Sequence, residues 1–103
     1  MANKVIRIDT KGNVDYARRS VSIKNEDTVQ WVSTSNKEWL VVFRGNCPFT
    51  DRDFPVSAQG GGGSRPGYQC SGLQAGESYV YDVVARSPLA GKRGSDPIID
   101  IIP

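Results

Sequence analysis

Histidine is missing altogether from this chain of 103 residues, methionine occurs once, and cysteine twice, as Cys47 and Cys70. Each scarcity removes a class of chemistry. Without an imidazole, a zinc site of the usual Cys and His ligands cannot be assembled from two sulfurs. Acid-base work would fall to Asp, Glu, Lys or Tyr. The nearest approach to paired carboxylates is Asp51 and Asp53 around Arg52, a spacing that a solvated turn explains as well. No metal ligation is expected there, because these carboxylates lack a recognisable calcium-loop spacing. The chain is therefore read as non-catalytic, with no cofactor and no metal. Long apolar runs are also absent. No stretch approaches the ~18 residues a membrane span needs, so no membrane partner is expected. Residues 1–4, Met-Ala-Asn-Lys, lack the apolar core of a signal peptide. A cytosolic protein and a mature secreted domain both fit, with a secreted or periplasmic site preferred if a leader has been removed.

Charge is nearly balanced, 13 basic against 11 acidic residues. The basic residues Arg86, Lys92 and Arg93 fall in one loop, but Asp82 and Asp96 flank them and no aromatic interleaves. A nucleic-acid footprint is normally a stripe on a clearly basic domain, so nucleic acid is not an expected partner.

What the chain does have is glycine, proline and short β-branched runs. Gly and Pro number 11 and 6, which suits many turns and few helices. Strands are read at Val5–Ile8, Val21–Ile23, Thr28–Val32, Trp39–Phe43, Ser78–Ala85 and Ile98–Ile102, with Val14–Tyr16 a short edge segment. Val21 and Ile23 alternate with polar residues, as do Val29 and Trp31, and Asn25-Glu26-Asp27 between them reads as a hairpin-type turn. Asp51 to Phe54 reads as one helical turn. This pattern gives one domain over residues 1–103, an all-β sandwich with antiparallel or mixed sheets.

Residues 44–76 form a long Gly/Pro-rich loop carrying Pro48, Pro55, Pro66 and both cysteines. So long a loop is uncommon unless functional or stapled. Phe49, Phe54 and Tyr68 are expected to pin it, and in an oxidising compartment a Cys47–Cys70 disulfide would close it, for roughly 3 kcal/mol. Gly60-Gly61-Gly62-Gly63-Ser64 lacks the Lys and the following helix of a phosphate-binding loop. It reads as a flexible loop tip, and since it also equals a common engineered linker, a native and an introduced origin both stay open.

Four segments, in order, resemble the cupredoxins, the Greek-key sandwiches of the plastocyanin type. Residues 21–31, VSIKNEDTVQW, are similar to the family's second hairpin, with Glu26 where a Gly is usual. Trp39–Phe43 resembles the strand that begins with the first copper histidine, residues 75–83 the Gly-x-Tyr-x-Tyr-x-Cys strand, and residues 96–101 the closing strand. The resemblance implies a Greek-key fold but removes the copper. Trp39 stands at the histidine position and Val83 at the cysteine position, whereas a blue-copper site needs two imidazoles and a thiolate. An immunoglobulin- or fibronectin-like sandwich is the alternative fold.

Function then falls to loops at one end of the sandwich, residues 33–39, 44–56 and 86–94, as a binding or structural module. The candidate binding residues are Trp39, Phe49, Arg52, Tyr68, Arg86, Lys92 and Arg93, and the expected partner is a protein or a carbohydrate. Trp39 carries two readings, an anchor at the rim and a core residue filling the volume of the lost copper site.

Overall fold

A computed structural model describes residues 2–85 and 97–103. Seven strands follow one another: β1 Asn3–Ile8, β2 Arg18–Ser22, β3 Thr28–Ser33, β4 Trp39–Phe43, β5 Asp53–Val56, β6 Ser78–Ala85 and β7 Ile98–Ile102. No helix occurs among the described residues. The protein is all-β, in two sheets compatible with a β-sandwich. A two-stranded sheet pairs β1 with β3, and a five-stranded sheet has the order β2-β7-β6-β4-β5. The β1–β3 and β2–β7 pairs are parallel and the remaining pairs antiparallel.

Alternation within the strands explains the core. In β4, Trp39, Val41 and Phe43 are buried while Leu40 and Val42 are half-buried, so this strand is less fully covered than its unbroken apolar sequence suggests. Ile6, Ile8, Val29 and Trp31 from the small sheet join Val21, Val41, Val83, Ile99 and Ile101 from the large one in a single cluster. At its centre lies Trp31, with ring centroids of Phe54 at 4.9 Å, Tyr81 at 5.3 Å, Phe43 at 6.1 Å and Phe49 at 6.3 Å. Such aromatic pairs add about 0.5–1.5 kcal/mol each beyond the area they bury.

Two local readings are corrected. Residues 21–32 do not form a hairpin. Their strands belong to different sheets, because β2 pairs with β7 and β3 with β1. The turn between them is instead tied by Asp27, whose buried carboxylate accepts the Ser22 N–H at 2.9 Å. Asp51–Phe54 is not a helical turn either. Asp53 begins β5, which pairs with β4 from Asp53 opposite Val42 to Val56 opposite Trp39. Pro55 is tolerated because β5 is an edge strand. Val14–Tyr16 contributes only an isolated bridge, Val14 to Ile8.

The long loop is held without a disulfide. Cys47 and Cys70 are both free thiols. The Cys47 sulfur is engaged within its own turn, donating to the Asp51 carbonyl at 3.1 Å and accepting from the Phe49 N–H at 3.5 Å. Backbone pairing does the stapling: Phe49 bridges Gln69 and Gly67 bridges Val29, while Phe49 and Phe54 are buried in the core. Gly67 fits closely at that crossing: a Cβ there would lie 3.1 Å from the Phe54 ring and 3.2 Å from the Phe49 ring, which would have to give by a few tenths of an ångström. Of Gly60–Ser64, the first three glycines are exposed, and the segment is tied down at its end, where the Gly63 N–H donates to the Ser57 hydroxyl at 3.2 Å. Ser64 is buried, its hydroxyl accepting the Trp31 N–H at 3.0 Å and its own N–H donating to the Trp31 carbonyl at 2.8 Å.

Candidate functional site

β4 separates the loops that were expected to share a face. Residues 34–38 lie at the start of β4 and residues 44–52 follow its other end, so five strand residues, about 16 Å at the usual rise, stand between them, and the rest of the 44–56 segment returns as β5 to set Val56 opposite Trp39. Trp39 is 4% exposed. It pairs across the sheet with Ala85 and lies diagonal to Val83 on the same buried face, which leaves it no surface for a partner and gives it the core role. Phe49, at 2% exposed, likewise packs inward. Arg52 is exposed, and its guanidinium donates to the Gly45 carbonyl of its own loop. Asp51 is faced by Arg65 at 3.8 Å. Arg86, Lys92 and Arg93, with Leu89, lie outside the described residues.

Tyr68 behaves differently. It was expected to help pin the loop, yet it is 54% exposed. Bonding on either side of it is backbone: the Gly67 N–H donates to the Val29 carbonyl and the Thr50 N–H to the Tyr68 carbonyl, at 2.6 and 2.9 Å. The main chain is thus fixed while about half of the side chain stays exposed. Tyr16, the other exposed phenol, has its ring face covered by the Arg19 guanidinium at 4.0 Å.

Beside Tyr68 opens a concavity of about 440 Å³. Ile23 and Leu73 form its apolar wall, and Glu26, Thr28, Gln69, Cys70 and Ser71 contribute polar groups. Their positions follow from the fold. Ile23 continues β2, its N–H donating to the Ile102 carbonyl at 2.9 Å, and Thr28 opens β3, its N–H donating to the Ala2 carbonyl at 2.8 Å. Gln69 is held by its amide nitrogen, which donates to the Ser22 and Asp27 carbonyls at 3.0 and 2.9 Å. Glu26 sits at φ 54°, the one non-glycine with a positive φ among the described residues.

Electrostatics near the concavity is set by burial more than by charge. Burial pushes the Cys47 thiol above its ordinary value. The Tyr79 phenol is likewise raised, by burial and then by the Glu77 carboxylate beside it. Neither group is poised as a nucleophile or base at neutral pH. Among the described residues, no cluster of three metal-ligating side chains occurs.

Of the residues lining the concavity, Tyr68 was singled out from sequence as a binding residue and Cys70 as a disulfide partner. Ile23, Thr28, Gln69 and Leu73 carry no signal of their own, since their convergence depends on the β3–Gly67 and Phe49–Gln69 bridges. Glu26 did carry one: an acidic residue where the resembled hairpin has glycine. No protein-family model matches the chain, and neither a curated protein nor a solved structure matches it.

Proposed function

We propose that this chain is a non-catalytic, metal-free binding module on a cupredoxin-like Greek-key sandwich, and that its partner, a protein or a carbohydrate, seats at the Tyr68 end. The cupredoxin-like reading is supported by the order of the four motifs along the chain. It is also supported by Trp39 and Val83, which share the buried face of neighbouring strands where the resemblance would put copper ligands. Two apolar side chains there make packing the substitute for the metal. The observation that carries the binding reading is the exposed Tyr68 ring at the rim of a concavity, where no guanidinium covers it as Arg19 covers Tyr16. Mixed apolar and polar concavities of this kind are where ligands bind.

The binding reading is tested by probing a glycan array and a random-peptide display library with the wild type and Tyr68→Ala side by side. Hits lost in a folded Tyr68→Ala variant support it, and hits indifferent to the substitution overturn it. Addition of Cu(II) tests the metal-free reading. The expected result is no intense visible band, and a strong thiolate-to-copper absorption would refute it.

A further inference from the structure

Accepting the Tyr68 end as the binding surface, we infer that its concavity is a subsite for one uncharged sugar ring, with Glu26 accepting hydroxyls at its rim. The polar lining is what selects the ligand class. The Gln69 NH2 group is committed to two backbone carbonyls, at 3.0 and 2.9 Å, so its side chain turns only an oxygen to a ligand. Thr28 donates its hydroxyl proton to Asn3 at 2.9 Å, leaving oxygen lone pairs. Glu26 as a carboxylate accepts only. Three side chains thus present acceptors, and the Ser71 hydroxyl and Cys70 thiol beside them can donate as well as accept, a set matched by a ligand rich in hydroxyl groups. No Lys or Arg lines the concavity among the described residues, which disfavours phosphates, sulfates and acidic peptides.

The rest of the surface suits a pyranose. The Tyr68 ring is half free and, with Ile23 and Leu73, offers an apolar platform to a sugar's C–H face, while the open side leaves room for a further residue of a chain. Glu26 supplies an independent sign. A left-handed backbone is costly for a residue with a side chain and nearly free for glycine. Glutamate held at φ 54° places a carboxylate on the rim where the local backbone alone would favour glycine. Strain of this kind concentrates where function needs a side chain.

The test is amide chemical-shift mapping of the 15N-labelled full chain. It is titrated with glucose, galactose, mannose, N-acetylglucosamine and their disaccharides, with glucuronate and a lysine-rich peptide alongside. A neutral sugar is expected to shift residues 23–28 and 68–73 saturably, with glucuronate about tenfold weaker through charge repulsion at Glu26. Tyr68→Ala and Glu26→Gly are expected to lose the shifts, while Glu26→Gly unfolds at no lower denaturant concentration than the wild type. Shifts that survive Tyr68→Ala, or a glucuronate response equal to that of the neutral sugars, overturn the inference. If no neutral sugar acts but the peptide shifts the same residues, the sugar subsite is refuted and the Tyr68 binding end survives. If neither probe shifts them, both readings fall.

Discussion

Two aromatic residues that look alike in a sequence have opposite fates here. Trp39 is 4% and Tyr68 54% exposed. Truncating a buried aromatic typically costs about 3–5 kcal/mol, and a surface substitution stays within about 0.5 kcal/mol. Denaturant unfolding should therefore place Trp39→Ala far below the wild type and Tyr68→Ala beside it, and a near-zero change for Trp39 would remove its packing role. The inward direction of Trp39 was legible, because it shares the alternation of Val41 and Phe43. Tyr68 follows Gly67 in irregular backbone, where no period says which way a side chain points. The glycine tract makes a second contrast. A Cβ on Gly62 (φ +90) meets nothing within 4 Å, whereas one on Gly63 (φ +79) would lie 2.5 Å from the Trp31 carbonyl. Gly62→Ala should cost only the backbone term, about 1–2 kcal/mol, and Gly63→Ala a further 1–3 kcal/mol or so of overpacking, read as two unequal shifts in thermal midpoint.

Elements were easier to locate than to pair. Six of the seven strands were legible from β-branched and aromatic runs, though β2 begins earlier than its apolar residues, at Arg18. Which strand lies beside which was not, because a period of two marks a strand and says nothing of its partner. Hence residues 21–32 looked like a hairpin. β5 was missed because its strand state comes from pairing with β4 across the nine residues 44–52, while locally Asp, Arg and Pro favour a turn. The β2–β7 pair carries its own test. Arg18 grips the Asp100 carboxylate through two N–H groups at 3.0 and 2.9 Å. That grip, with a hydrogen bond from Ser78, holds Asp100 below the usual carboxylate range despite partial burial. A depressed folded value means the contribution is present above the ordinary aspartate pKa and is lost as pH falls through the folded value. Arg18 is 59% exposed, so solvent limits the gain to about 1 kcal/mol or less. Asp100→Asn should be slightly less stable at neutral pH, with the difference closing in acid unfolding.

At the scale of the molecule, the question is what organises residues 44–76 when no covalent link does. Sequence offered a disulfide because two cysteines flank a segment rich in Gly and Pro. The bridges to Val29 and Phe49 and the burial of Phe49 and Phe54 involve residues distant in sequence and were not legible from it. With both thiols free, the denaturation midpoint should be the same with and without reductant, and denatured unreduced protein should take up two alkyl groups by mass. In the folded protein Cys47 should alkylate slowly at neutral pH, since burial disfavours its thiolate. A reductant-sensitive midpoint would restore the covalent staple.

The seam between residues 64–67 and β3 reaches beyond stability. A strand at the border of a two-stranded sheet would leave one row of N–H and C=O groups open, an invitation to the matching border of another molecule. Here that row is occupied: Trp31 by Ser64 on both its N–H and its C=O, and Val29 by Gly67. The glycine tract that brings the chain to this border lets it lie flat against Trp31, where a Cβ on Gly63 would strike the backbone. A substitution that lifts this cover would expose β3 to intermolecular pairing before the core itself gave way, so its first consequence would be self-association rather than unfolding.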